Sequence, residues 1–461
     1  MAPDPADLLI TGDVVAAGGP LIGGSVAIRG GQITGLWPAG GGPLPAAHQT
    51  LRVRGQWILP GAIDAHVHCY SEPAEGFGHA TRAAAAGGVT TIIEMPYDAQ
   101  APVVARDVLE RKKDQLRREA IVDVALLGTI SKAGGLSAIS GLAEGGVCGL
   151  KVSLFETDPY RFPRIPHGEL IEAFRLAAGE DLPVGVHAED GEIIGRAVAG
   201  WSGPREPRAH CATRPPVSET ASVAVALELA AATDVRLHIY HASLPRTFEL
   251  VAAARGRGQR VTAETCPHYL LLTEDDMDRL GPLGKMNPPL RSPAAASGLW
   301  ECLADGTVDL VSSDHSPWAL EKKSRRDDIF ANSSGLPGVE TLVPLMYGAA
   351  VGQRGLPISR LAEVLAATPA ATFGLAPRKG QLAVGADADL IVLDPSGTTR
   401  IRGQALHSSA RWSPYDGMEV PGRIALTMVR GRIVYDGSAV IGTPGYGQYV
   451  TPARSRTGPG A

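Results

Sequence analysis

Cysteine is scarce, and its pattern excludes two roles. The five cysteines (Cys69, Cys148, Cys211, Cys266, Cys302) contain no CxxC, and their odd number cannot pair completely. A disulfide framework and a zinc knuckle are therefore excluded, and the residues read as reduced thiols of a cytoplasmic protein. Long apolar runs are missing, so no stretch is suited to span a membrane as a helix. The opening Met-Ala-Pro-Asp-Pro-Ala-Asp lacks the basic start of a signal peptide. An excess of positive charge is missing as well, since the formal net charge is -5. The run Lys322-Lys-Ser-Arg-Arg326 is followed at once by Asp327 and Asp328, which reads as a solvated loop and not a nucleic-acid surface. What is present is an ordinary globular composition, 44% hydrophobic and 20% charged over 461 residues. That length suffices for two domains, or for one large domain with an appendage.

Two textures alternate along the chain. Residues 1–60 and 373–450 show short alternating strands broken by Gly-Gly turns, among them the hairpin signal Gly30-Gly31. They predict one small discontinuous β-sandwich domain built from both ends. Residues 451–461 read as a disordered tail. Between the ends, residues 61–372 alternate eight short apolar runs with Ala-rich stretches of helical period. The runs are 62–66, 89–94, 122–128, 148–154, 183–187, 235–241, 260–265 and 308–312; helices are expected over 75–86, 103–118 and 217–232. This profile predicts an α/β fold, a (β/α)8 TIM barrel. A doubly wound open sheet is disfavoured, because no Gly-rich phosphate fingerprint follows the first strand.

Barrel chemistry sits at the C-terminal ends of strands. The first run ends in His66-Val-His68, two imidazoles on one strand face. Further ends carry Lys151, His187, His241 and Asp314. A lone strand histidine is more often structural, but five coincidences in register with eight strands favour N/O ligation of zinc or another first-row divalent ion. His238 and His241 face opposite sides, and His241 lies nearer the mouth. His315 points away from Asp314, toward a supporting or a substrate-facing place. His268 is open between ligand and structural roles. His48, His79, His167, His210 and His407 read as surface or packing residues. An ammonium beside dications is repelled, so Lys151 is either a structural lysine turned elsewhere or a modified one.

These residues, together with Pro60-Gly-Ala-Ile-Asp-Ala-His-Val-His68, Ala85-Ala-Gly-Gly-Val-Thr-Thr91, Glu264-Thr-Cys-Pro-His-Tyr-Leu270, Asn287-Pro-Pro-Leu-Arg291 and Gly335-Leu-Pro-Gly-Val-Glu340, resemble the amidohydrolase superfamily in its cyclic-amidase branch of allantoinases, hydantoinases or dihydropyrimidinases, and dihydroorotases. The resemblance runs over almost the whole chain. It implies two divalent metals, zinc first and manganese, cobalt or iron as alternatives. His66, His68 and Asp314 would hold one, His187 and His241 the other, with a carboxylated Lys151 bridging them. A metal-bridging hydroxide would attack the ring carbonyl, and Asp314 would move its proton to the leaving nitrogen. A homotetramer or homodimer acting on a small cyclic ureide is implied, with no nucleic acid and no membrane as partner.

The substrate-side residues divide the branch. Dihydroorotases resemble HVHFREP followed by an asparagine after strand 2, where this chain has His-Val-His-Cys-Tyr-Ser-Glu-Pro and Met95-Pro-Tyr97. Hydantoinases place a tyrosine where Glu156 stands and an asparagine where Ser334 stands. Glu72-Pro-Ala-Glu-Gly-Phe77 and Glu94-Met-Pro-Tyr-Asp-Ala99 are similar to allantoinase segments. The resemblance thus leans to allantoin, with a hydantoinase-like enzyme second, then a dihydroorotase or a non-catalytic relative on the same fold. Ser71, Glu156, Asn287 and Ser334 are the candidate substrate contacts. The segment just after His68 is where this chain is expected to differ most from its relatives.

Overall fold

The computed structural model describes residues 5–132 and 134–453. From residue 454 onward the expected tail lies outside them. In chain order the strands are β1 (Ala6–Ala16), β2 (Gly19–Arg29), β3 (Gln32–Trp37) and β4 (Ala47–Pro60). The middle supplies β5 (Ala62–Val67), β6 (Val89–Glu94), β7 (Asp123–Leu126) and β8 (Leu150–Ser153). It continues with β9 (Pro183–His187), β10 (Arg236–Ile239), β11 (Val261–Thr265) and β12 (Leu310–Val311). The end supplies β13 (Leu390–Arg400), β14 (Glu419–Val429) and β15 (Arg432–Tyr435).

Strands from both ends join one seven-stranded sheet in the order β15-β14-β13-β4-β1-β2-β3. The reason is β4. Its first half pairs in parallel with β1, Ala47 opposite Ala6 and Arg52 opposite Thr11. After a bulge its last four residues pair antiparallel with β13, Trp57 opposite Leu393 and Pro60 opposite Leu390. One long, bent strand thus stitches the two ends together. Gly30 and Gly31, with φ of 58° and 80°, form the hairpin between β2 and β3. Ile10, Val14, Val26, Ile28, Ile58, Leu390, Val392 and Met428 form the sheet's own buried core.

Each of the eight middle runs carries a strand. β5-β6-β7 form one parallel sheet and β8 to β12 another, and both gaps between them are crossed by parallel bridges. His68 N–H donates to the His315 carbonyl at 2.8 Å, and His315 N–H donates to that of His66 at 3.1 Å. Across the other gap, Lys151 N–H donates to the Gly128 carbonyl at 2.8 Å. Every residue of β5 and β6 is buried, as expected for parallel strands covered on both faces. The covering helices include Gly76–Ala86, Arg106–Glu119, His167–Gly179, Pro216–Ala231, Pro245–Gly256 and Pro293–Ala304. In the stretch after β15, Gln448 and Val450 hydrogen-bond along Val124 of β7. Among the described residues, no helix is long and apolar enough to cross a membrane.

Candidate metal centre

His66 and His68 leave the end of β5 with ring centroids 5.4 Å apart. Asp314 follows β12, its Oδ1 3.2 Å from His66 Nε2 and 3.9 Å from His68 Nε2. Lys151 of β8 brings Nζ to 3.5 Å from His66 Nε2. His187 closes β9 and His241 follows β10, with rings 4.5 Å apart. These six residues, together with Ser71, Glu156, Asn287 and Ser334, line a single cavity of about 650 Å³. His241 and Asp314 are non-glycine residues with φ of 37° and 49°. Left-handed backbone costs such residues of order 1 kcal/mol or more, and it is kept where surrounding structure enforces it. Here it turns both side chains into the cavity just beyond their strands.

A layer of carboxylates fixes the imidazoles. Glu264 of β11 accepts from His66 Nδ1 at 2.7 Å and from the His241 N–H at 3.2 Å. Glu189 pairs with His187 Nε2 at 2.9 Å and with Arg214 Nη1 at 2.6 Å. Asp64 accepts from the backbone N–H of His66 and of Ser313. Ser71, expected to touch substrate, stands 3.1 Å from His68 Nδ1 and so also sets that ring's orientation. Beneath Lys151 lies the Tyr240 ring, its centroid 3.5 Å from Nζ. That ring has room because residue 185 is glycine; any Cβ there would collide with it.

Burial, reinforced by the charge of Lys151, holds His66 and His68 well below the ordinary histidine value. Burial also lowers His187, against the pull of Glu189, and holds His241 well below the ordinary value with His187 beside it. It lowers Lys151 to about 7 and pushes the Asp314 carboxyl well above its usual range. Neutral imidazoles can give a lone pair to a metal, and ligand atoms of His66, His68 and Asp314 all lie within 4.8 Å of one another. A buried carboxylate without a cation costs several kcal/mol, and the Asp314 ion pairs among the described residues are only to these two histidines. His241 Nδ1 is buried without a partner. The residues fit a divalent metal site.

The other histidines sort differently. His238 lies outside the cavity, on Thr262 Oγ1 and Glu264. His315 also lies outside it. Its Nε2 meets Glu75 at 3.1 Å and its Nδ1 accepts from Gly338 N–H at 3.0 Å, a supporting role and not a substrate-facing one. His268 is fully buried outside the lining, without a partner at either ring nitrogen. His210 does line the cavity, which its sequence setting gave no sign of; its Nε2 meets the Met286 carbonyl at 2.8 Å. The run 322–326 is not wholly solvated. Lys323 is buried, because its ammonium donates to the carbonyls of Lys285, Ser333 and Gly335. Glu156 is exposed, holding Lys132 at 2.5 Å. Arg161, Phe162, Arg214, Lys285 and Trp318 also line the cavity. They come from loops whose residues carry no periodic signal.

Comparison with known proteins places this geometry. The sequence profile of the amidohydrolase family matches residues 57–434. The chain is 40% identical over 456 residues to an allantoinase of Rubrobacter xylanophilus, covering 98% of each protein. It is 39% identical over 390 residues to a dihydroorotase of Halobacterium salinarum, covering 83% of this chain and 87% of that one. Among solved structures it resembles an L-hydantoinase (dihydropyrimidinase) from Arthrobacter aurescens, with a TM-score of 0.92 and 33% identity over 97% of this chain and 100% of the other.

Proposed function

The chain belongs to the amidohydrolase family and hydrolyses a cyclic amide; from that premise we propose that it opens a cyclic ureide, with allantoin first. The observation that carries the reading is the convergence of four uncharged imidazoles, Lys151 and Asp314 on one cavity. His66, His68 and Asp314 would hold one divalent metal, and His187 and His241 a second, zinc being the first choice. When bound, such ions polarise a carbonyl and make water acidic enough to ionise near neutral pH.

The chain's own groups account for the rest. An amine with a pKa of about 7 is largely neutral at physiological pH and can add to CO2, losing a proton. Lys151 would thereby exchange a cation for a carboxylate and bridge the two sites. Asp314 would enter as the carboxylate, its affinity for a proton raised by burial, take a proton from the attacking water and deliver it to the ring nitrogen. The carbonyl carbon gains an oxygen, its bond to nitrogen breaks, and a carboxylate and a ureido N–H result. Asn287 offers a buried, unpartnered Oδ1 to a ring N–H, and Ser334 and Glu156 line the same space. The reading includes the architecture: a (β/α)8 barrel over 61–372, carried by a small β-domain from 1–60 and 373–450.

A hydantoinase-like specificity is the second reading, favoured by the fit to the L-hydantoinase structure. Assays on allantoin, hydantoin, dihydrouracil and dihydroorotate side by side decide between them. Ring opening fastest on allantoin is expected. A protein with two metals per chain that opens none of the four would overturn the proposal.

A further inference from the structure

The loop between β8 and the helix His167–Gly179 folds back on itself, Asp158 bridging Phe162, and Arg161 and Phe162 are among the residues it presents to the cavity. The Phe162 ring stacks on Tyr97 with centroids 3.8 Å apart and lies 5.7 Å from the His187 ring. Arg161 reaches the segment beyond β5. Its Nη1 donates to the Tyr97 carbonyl at 3.3 Å and to the Ser71 carbonyl at 3.5 Å. Ser71 in turn touches His68, so this guanidinium sits one residue from a candidate metal ligand.

The guanidinium is half-buried, yet among the described residues it makes no ion pair. Of the acids around it, two are paired with other cations and the third, Asp158, accepts from backbone N–H groups. Asp158 Oδ1 accepts from the backbone N–H of Tyr160 and of Arg161 itself. Asp98 holds Lys112 at 2.6 Å, and Glu72 holds Lys322 at 2.7 Å. Two long bonds from one nitrogen use little of a five-donor fork. A planar, permanently charged group beside a substrate cavity with spare donors is suited to a carbonyl or carboxylate oxygen.

We infer that Arg161 is a specificity-determining residue, receiving the carbonyl oxygen of a ureido substituent on the ring, so that the preferred substrates are cyclic ureides with such an arm. The inference rests on the cyclic-ureide reading and narrows it. A carboxylate arm has the same chemistry, and the test separates the two.

The test compares wild type, Arg161→Gln and Arg161→Lys on allantoin, unsubstituted hydantoin, 5-methylhydantoin and hydantoin-5-acetate, after checking that the variants keep wild-type metal content. Arg161→Gln is expected to lower kcat/KM for allantoin about 100-fold, mainly through KM, as for loss of a built polar contact. Hydantoin should change less than threefold, and Arg161→Lys should restore part of the loss. An equal loss on hydantoin and allantoin would assign Arg161 to holding the loop and overturn the inference while leaving ring opening intact. A wild-type preference for 5-methylhydantoin or for hydantoin-5-acetate over allantoin would also overturn it. A wild type that opens none of these rings would remove the function itself, and the inference with it.

Discussion

Among the described residues, two buried clusters have the spacing of a metal site: His66, His68 and Asp314 in the cavity, and Asp123, Asp387 and Asp389 where the middle region meets the seven-stranded sheet. Only the first is short of cations. In the second, Lys379 Nζ lies 2.5 Å from Asp123, 2.6 Å from Asp389 and 3.0 Å from Asp387. Arg378 takes Asp387 at 2.8 Å, and Arg430 takes Asp123. Three acids meet three bases, and nothing further is called for. In the cavity, one buried carboxylate faces imidazoles that burial keeps neutral, beside a lysine that makes no ion pair among the described residues. Spacing alone does not identify a metal site; the charge left unpaired does.

The comparison breaks most sharply at Asp314. Asp314→Asn should lower kcat by at least about 10³-fold with the fold intact, seen in steady-state assays with a circular dichroism control. The counterpart in the other cluster acts on stability. Lys379→Met leaves three buried acids with two bases, and should cost about 3–5 kcal/mol in urea unfolding while the folded fraction keeps its metals and turnover. Glu264→Gln removes the charge behind His66 and should weaken metal binding about 10- to 100-fold, measured by competition with a chelator.

A smaller effect follows from Lys151, whose pKa is lowered to about 7 by burial. A lowered amine pKa means the neutral, CO2-reactive form grows as pH rises through that value. Its share goes from roughly a tenth at pH 6 to nine-tenths at pH 8. At a fixed concentration of dissolved CO2, reactivation of metal-depleted enzyme by zinc should therefore be about tenfold faster at pH 8 than at pH 6. A rate independent of pH would contradict the role assigned to Lys151.

Much of the cavity could be read from the chain, because strands impose a period of two and the ends of parallel strands lie on one side. His66-Val-His68 needed only alternation, and β6 and β9 end where their patterns end. β4 was hidden, since Arg52, Arg54, Gly55 and Gln56 break its apolar pattern and most of its first part is exposed. Residues Arg430 and Gly431 form the hairpin between β14 and β15. Glu189 and Glu264 lay inside motifs, but their work on His187 and His66 depends on contacts between strands that the sequence does not order. Arg161 was silent because a loop has no period and its position is set by the carbonyls of Ser71 and Tyr97.

The central claim is that the histidine cavity holds two metals and that the acid cluster holds none. Metal analysis by inductively coupled plasma mass spectrometry on wild type, His66→Ala, His241→Ala and Asp387→Asn tests it most directly. Two divalent ions per chain are predicted for wild type and Asp387→Asn, and at most one for each histidine variant. Wild-type protein without metal, or histidine variants that keep both ions, would contradict the account.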